Sequence, residues 1–371
     1  MTKKNKSYKF RIYPNKKQCD IINKTFGCVR FVYNKMLEEK IEYYNKNNEK
    51  LKVTPAKYKE EFEFLKEVDS LALANAQLNL ETAYKNFFDK KFVGFPKFKS
   101  KKSDRKSYTT NCVNNNIRFE NKYIKLPKLD FVKVKQHRII PSDYKLKSAT
   151  ISQSSSGKYF VSVLFEYEKF ITIKKIESID TNNIIGLDFS MKELYISSKG
   201  ENPAYPRFYR RALYKLKRMQ RKLSKMKKYS NNYHKQRRKI AIYHEKIANS
   251  RKDFLHKQSR QITNVCDAVA IENLDMRAMS KALNFGKSVH DNGWGMFVNF
   301  LTYKLSDEGK QLVKIDRWFP SSKTCSVCGL VKSELALGER IYICECGNIL
   351  DRDINAAINI KNEGLRILKT A

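Results

Sequence analysis

Acidic residues are scarce in this 371-residue chain: 38 Asp and Glu stand against 75 Lys and Arg, a formal net charge of +37. So large a surplus repels itself without a counter-ion, which disfavours a merely soluble basic protein and favours a polyanionic partner. Long apolar runs are missing too. None reaches the roughly 18 to 20 residues that cross a bilayer. Met1-Thr2-Lys3-Lys4-Asn5-Lys6 leads into a strand-like stretch, where a secretory segment would show an apolar core. No isolated amphipathic anchor stands out, so nucleic acid is favoured over a membrane surface as the polyanion. Four of the eight cysteines, Cys19, Cys28, Cys112 and Cys266, are scattered as buried thiols of an intracellular protein are. No disulfides and a cytoplasmic location are expected. There is no long internal repeat.

The length allows two or three domains with a sizeable core. Residues 8–13 (Tyr-Lys-Phe-Arg-Ile-Tyr) alternate as a strand does, and Pro14 ends them. Residues 15–46 predict a helix, with Ile21, Ile22, Phe26, Val29, Val32, Tyr33, Met36 and Leu37 at spacings of three and four. A polar break at 45–50 precedes a second helical block with Phe62, Phe64, Leu65, Val68 and the Ala/Leu-rich stretch 71–88. Gly94-Phe95-Pro96 marks a switch to short strands at 117–119, 123–126, 132–134, 149–152 and 159–167. Their regular spacing predicts a small antiparallel barrel, which the first strand joins. Residues 97–106, basic and polar, predict an exposed loop near phosphates.

A linker is expected at 174–183 and a hairpin at 184–199. Between 206 and 262 lie 20 Lys and Arg against only Glu245 and Asp253, while Leu213, Leu216, Met219 and Leu223 keep helical spacing. Like charges one helical turn apart repel, so a nucleic-acid backbone accounts for this region better than a solvated helix face. A buried strand follows at 268–274, then a Gly-containing loop at 277–293, a helix over 294–308, a core strand at 312–315 and a helix at 354–363. The 21 Tyr and 22 Phe could stack on unpaired bases, but their spacing assigns most to the core.

The remaining cysteines cluster. Cys325-x-x-Cys328 and Cys344-x-Cys346 are separated by fifteen residues, and Gly329 and Gly347 each follow a pair. Two thiolate pairs on short turns make a tetrahedral zinc site, closed to water and therefore structural. Three acids also fall at the ends of apolar elements: Asp188 in a strand, Glu272 at the end of another, and Asp353 at a helix start. Ionised carboxylates are rarely buried without partners. Oxygen ligands in such a set suit magnesium or manganese, two of which can serve a nuclease. Asp351 competes with Asp353 as the third acid. The order of strand, strand and late helix resembles the ribonuclease-H-like fold in its RuvC form.

Gly186-Leu187-Asp188, Ile271-Glu272-Asn273-Leu274, Gly293-Trp294-Gly295-x-Phe297, Ser321-Ser322-Lys323-Thr324-Cys325-Ser326-x-Cys328-Gly329 and Asp351-Arg352-Asp353-x-Asn355-Ala356-Ala357-x-Asn359-Ile360 resemble the TnpB family. That family, also called OrfB, comprises insertion-sequence proteins related to type V CRISPR effectors. The resemblance is specific over roughly 180–365 and weaker at 8–14 and 93–102. It favours Asp353 over Asp351, because Asp353-x-Asn355-Ala356-Ala357 is the motif it carries, and the small alanines would let this helix pack close to a sheet.

The resemblance implies an α+β multidomain fold. A wedge-like β-barrel domain would occupy 1–14 and 92–178, and a recognition-like helical insertion 15–91. A RuvC-like nuclease domain would span 179–319 and 351–371, with a zinc-binding insertion at 320–350. It further implies an RNA-guided, magnesium-dependent DNA endonuclease with Asp188, Glu272 and Asp353 as the catalytic, metal-holding triad. Arg340 would contact the scissile phosphate, a surface arginine being the alternative. The partners would be a guide RNA from the transposon end and double-stranded target DNA. The expected setting is the cytoplasm of a bacterium, encoded by host or phage, at the nucleoid when bound. The alternatives are a nuclease-inactive, guide-directed DNA-binding repressor and a transposase or transposition accessory protein. A single-strand transposase would need a His-hydrophobe-His pair with a Tyr, and the only histidines are His137, His234, His244, His256 and His290.

Overall fold

Tyr8, Phe10 and Ile12 bury one face of the first strand, β1 (Thr2–Tyr13), as its alternation requires. In the computed structural model, which describes residues 2–90, 92–102, 106–172, 180–281, 286–336 and 338–370, the chain divides into two compact units, Met1–Lys169 and Phe170–Ala371.

In the first unit Pro14 stops β1, and Asn15 caps α1 (Lys16–Asn47). The Asn15 side chain takes the Gln18 N–H at 2.9 Å, and the Gln18 side chain takes the Asn15 N–H at 3.0 Å. The stripe Ile22, Phe26, Val29, Val32, Tyr33, Met36 and Leu37 is buried. α2 (Pro55–Glu61) and α3 (Ser70–Asp89) follow, α3 capped by Asp69. Six strands come next: β2 (Lys106–Asn111), β3 (Arg118–Glu120), β4 (Tyr123–Leu126), β5 (Asp130–Lys135), β6 (Lys145–Gln153) and β7 (Tyr159–Lys169). They join β1 in one sheet of order β2-β6-β7-β1-β5-β4-β3.

The expected barrel is not formed: among the described residues β2 and β3 end the sheet and do not pair with each other. β1 runs the length of β7 but meets β5 only at Arg11–Tyr13, so the sheet parts into two arms. α1 and α3 pack against β2. Their Ile22, Met36, Leu73 and Leu80 share one core with strand residues such as Phe10, Ile151 and Val163. Helices thus fill the space that closing strands would occupy. Of the expected basic loop at 97–106, residues 97–102 lack regular structure, 103–105 lie outside the described residues, and Lys106 opens β2.

The second unit opens with the hairpin β8 (Ile184–Ser190) and β9 (Leu194–Ser197). Most of the expected linker before it lies outside the described residues. The basic region is two helices, α4 (Phe208–Ser224) and α5 (Asn231–Val265), broken where Tyr229 turns left-handed and Ser230 caps α5. Ala212, Leu216 and Ile247 hold them together. β10 (Ala268–Glu272), the short α6 (Met276–Lys281) and α7 (Gly286–Asn292), α8 (Trp294–Asp307) and β11 (Gln311–Ile315) follow. Short helices therefore stand where a plain loop was expected at 277–293, of which 282–285 lie outside the described residues. A small hairpin, β12 (Ile341–Ile343) with β13 (Ile349–Asp351), leads into α9 (Arg352–Thr370).

The sheet order is β11-β10-β8-β9, with β10 parallel to β8 and β11, and β9 antiparallel to β8. Alternate residues sort onto two faces. Ile185, Leu187, Val269 and Ile271 pack with Leu255, Trp294, Phe297 and Leu301 of α5 and α8. Ile184, Ala268, Ala270, Val313 and Ile315 pack with Ile360 and Leu368 of α9.

α9 lies unusually close to the sheet. A Cβ at Gly186 would stand 2.1 Å from the Ala357 carbonyl oxygen, and one at Gly364 would stand 2.4 Å from the Ala270 Cβ. Gly186→Ala therefore forces helix and sheet apart. Loss of at least about 3 kcal/mol of stability is expected, at the upper end of overpacking costs, and urea unfolding would measure it.

Candidate active site and metal centre

The face that receives α9 also receives the acids. Gly186 and Asp188 are two residues apart on β8, as are Ala270 and Glu272 on β10, so both carboxylates project toward the α9 side. Asp188 and Glu272 each lie one step beyond the register pair Leu187–Ile271, at the carboxyl ends of adjacent parallel strands spaced about 4.8 Å apart. Asp353 enters from the first turn of α9.

All three are half-buried. The Asp188 carboxyl is held well above the usual carboxylate range, first by burial and then by the Glu272 and Asp353 carboxylates. The Phe189 N–H and the Arg352 guanidinium act in the opposite sense. Burial also raises Glu272, while the Ser321 hydroxyl, donating to Oε1 at 2.5 Å, pulls it back.

Asp351 does different work. Its Oδ1 accepts the N–H groups of Asp353 at 2.9 Å and Ile354 at 3.1 Å, so it caps α9. Arg340 is exposed, and its carbonyl takes the Arg352 N–H at 2.8 Å. Arg352 is the arginine whose charge reaches Asp188. Its Nη1 also donates to the carbonyls of Ala336 at 3.0 Å and Glu339 at 3.3 Å. Ser321 and Arg352 sat unassigned inside the sequence motifs. Asn292 left no such signal: it is fully buried, and its side-chain amide donates to the Ser190 carbonyl at 2.9 Å, holding the end of β8.

The cysteines meet as their spacing predicts. Cys325 and Cys346 sulfurs are 3.7 Å apart, those of Cys328 and Cys344 3.6 Å apart, and all four lie within 4.8 Å of one another. These distances are too long for disulfides. They match the edge, about 3.8 Å, of a tetrahedron with 2.3 Å zinc–sulfur bonds. Among the described residues no other group of three or more such ligands closes so tightly, so the three carboxylates are gathered less closely than the sulfurs. Gly329 and Gly347 adopt φ of 78° and 88° in the two turns. Burial pushes the Cys325 thiol up, but the N–H groups of Cys328 and Val327 and the Asn348 amide outweigh it and bring it to about 6.

Two buried asparagines fasten this segment to α9. Asn355 donates to the Thr324 carbonyl at 2.8 Å and accepts the Ser326 N–H at 3.0 Å. Asn359 donates to the carbonyls of Ser321 at 2.8 Å and Thr324 at 2.6 Å. One chain of contacts therefore runs from the sulfurs through Asn355 and Asn359 to Ser321, and from Ser321 to Glu272.

Known proteins resemble this chain over nearly all its length. A family model described as "Probable transposase", OrfB_IS605, matches residues 166–283, and one described as "Cas12f1-like, TNB domain" matches 294–360. A third, described as a helix-turn-helix domain, matches 1–49, where the structure has the strand β1 and the single 32-residue helix α1. A Streptomyces pristinaespiralis protein named as a candidate RNA-guided DNA endonuclease is 36% identical over 97% of this chain and 89% of its own. InsQ of Escherichia coli K12, named likewise, is 30% identical over 99% of this chain and 94% of its own. In the cryo-EM structure of a Cas12f1–sgRNA–target DNA complex, the protein shares the fold at a TM-score of 0.63 and 13% identity, covering 97% of this chain and 99% of that one. Full-length similarity at this level, together with the matched family models, makes the chain a member of the TnpB (OrfB) family of insertion-sequence proteins.

Proposed function

We propose that the protein is an RNA-guided DNA endonuclease of an insertion sequence, cutting double-stranded target DNA at a magnesium-dependent site built from Asp188, Glu272 and Asp353. One observation carries this reading: carboxylates from β8, β10 and α9 converge on one face of the sheet, where burial, and after it the charge of Glu272 and Asp353, disfavours an ionised Asp188 that a cation would favour. The names of the full-length relatives and the fold shared with a guide-and-target complex support it.

On this reading the second unit is a ribonuclease-H-like, RuvC-type domain at 179–319 and 351–371, with the zinc-binding segment at 320–350 inserted. Residues 1–14 and 92–178 act as a wedge-like sheet domain, and 15–91 as a recognition-like insertion, to hold guide and target. Base pairing then reads sequence, while the protein reads backbone.

Two Mg²⁺ (or Mn²⁺) ions, when bound, supply an activated water and a stabilised leaving oxygen. The chain's own residues position everything else. Asp188 and Glu272 offer oxygens from adjacent strands, and Asp353 closes the set from α9. Ser321 donates to Oε1 of Glu272 and so fixes that carboxylate, whose oxygens would hold a cation. Arg352 offsets part of the negative charge on Asp188. Arg340, exposed ahead of β12, contacts the phosphate being cut, and the cations of α4 and α5 hold backbone. The four sulfurs hold a zinc ion that is structural, because four thiolates leave no open position.

The direct test is to purify the protein with its co-transcribed RNA, sequence that RNA, and supply a matching duplex with Mg²⁺. Magnesium-dependent cutting is expected; a correctly matched complex that binds DNA but never cuts it would sink the proposal.

Asp188→Asn should abolish cutting and leave RNA binding intact. It should also stabilise the metal-free protein. The native state holds a proton on Asp188 more tightly than the unfolded chain does, so stability falls as pH rises from the ordinary carboxylate range through the raised value. Above the ordinary carboxylate range the wild type carries a penalty that the variant lacks. A higher Tm in EDTA is expected for the variant, by about 2–4 °C per kcal/mol relieved, with Mg²⁺ raising the Tm of the wild type only.

Breaking the brace should act at a distance. Asn355→Ala removes two buried hydrogen bonds, a loss of about 2–4 kcal/mol. Cys344→Ser removes a sulfur of the cluster. Both should expose 320–350 to limited proteolysis and slow cutting, although neither residue touches a carboxylate of the triad.

A further inference from the structure

A cationic cleft lies at the turn that follows β8, where Tyr205 and Asp291 pack on the α5 side of the sheet while the acids face α9. Lys192, Tyr205, Arg207 and Arg210 line two adjoining cavities of about 560 and 250 Å³, and Arg211 lines the larger. Lys192, Arg207, Arg210 and Arg211 are exposed. Arg210 donates to the Ser288 hydroxyl at 2.6 Å, whereas among the described residues the side chains of Lys192, Arg207 and Arg211 have no hydrogen bond or ion pair.

The acids of the lining do not neutralise this group. Asp291 is 3% exposed, accepts the N–H groups of Tyr209 at 2.9 Å and Arg210 at 3.2 Å, and pairs with Arg251 at 3.3 Å. Its charge is therefore committed to the start of α4 and to Arg251. That leaves Glu193 as the one other carboxylate against four cations. Arg207 sits at φ 50°, ψ 53°, a left-handed conformation that a long side chain rarely adopts, and it gives no cap to α4. A strained arginine without an internal partner is retained most economically for an external one.

We propose that this cleft binds phosphates of the DNA strand on its way to the acids. The proposal rests on the nuclease reading and deepens it. Position argues for the strand being cut: Lys192 follows Asp188 by four residues and lies in the turn after β8, so it sits at the same carboxyl end of the sheet, no more than about 13 Å from Asp188 at about 3.3 Å per residue. Point charges without an enclosed, shaped pocket suit a diester backbone, which is held by charge and not by base identity.

The test uses Lys192→Gln with Arg207→Asn, since Asn tolerates the left-handed turn. Both changes are placed in the RNA-loaded, uncutting Asp188→Asn protein. A fluorescein-labelled single-stranded DNA is titrated onto this complex, and a labelled copy of the co-purified RNA onto the same protein freed of RNA, each over a range of salt. Loss of two phosphate contacts should make the salt slope of DNA binding shallower by about 1.4, with RNA binding unchanged. In the otherwise wild-type background the pair should raise the DNA concentration for half-maximal cutting about tenfold. An unchanged DNA slope, or a loss confined to RNA, overturns the cleft. Failure of the nuclease reading would instead appear as no cutting by the wild type, whatever the slope.

Discussion

The close seating of α9 on β8 and β10 is the constraint on which the second unit depends. Van der Waals contact between a helix and a sheet ordinarily runs through side chains, about 10 Å from axis to plane. Here backbone meets backbone, because Gly186 has no Cβ to hold Ala357 away and Gly364 has none to meet Ala270. Only at that separation can a short aspartate in the first turn of α9 act on carboxylates held by the strand ends. A longer residue could bridge a wider gap, but it would carry more rotamers into a site that needs fixed oxygens.

Close seating alone would let the helix slide or tip. The asparagines prevent it. Asn355 and Asn359 are one turn apart on α9 and both are buried, so each amide left unsatisfied would cost about 1–3 kcal/mol. Their partners are the backbone of 321–326, which the cysteine turns shape. The same short segment presents Ser321 to Glu272. Two acids from distant parts of the sequence thus take their positions from one stretch of backbone, and that stretch takes its shape from four sulfurs. On the proposed function, a zinc ion held by these four sulfurs would act on the chemistry without touching it, by fixing where the acids stand.

Much of this was legible in the sequence because it rests on local chemistry. Alternation marked β1, spacing marked α1, and the cysteine pairs with their glycines marked a site whose sulfurs meet in the structure. The closed barrel was not there, because strand spacing reports strands and not what covers them, and here α1 and α3 cover the sheet. The break between α4 and α5 was missed because a run of lysines around Tyr229 keeps helical composition while the backbone turns. Asp351 and Asp353 looked interchangeable as acids. The motif of the resemblance favoured Asp353, and the hydrogen bonds add what Asp351 does instead, since it spends its Oδ1 on the helix cap. Ser321 and Arg352 carried no signal of their own, because a serine or arginine acquires its meaning from the group opposite.

The same electrostatic logic runs through both signs of charge. A chain with a net charge of +37 gathers acids onto one side of one sheet, where burial and then the neighbouring carboxylates hold Asp188 well above the usual carboxylate range. At the same end of the sheet, exposed Arg207 and Arg211 have no acid partner among the described residues. Neither arrangement favours the isolated fold, since each leaves like charges facing one another. On the proposed function, both would become favourable once divalent cations and phosphates enter together, each supplying what the other side lacks. Stability surrendered at such positions is the expected mark of a binding surface, and it is concentrated at the carboxyl end of the sheet, where helix and cysteine segment already hold the geometry fixed.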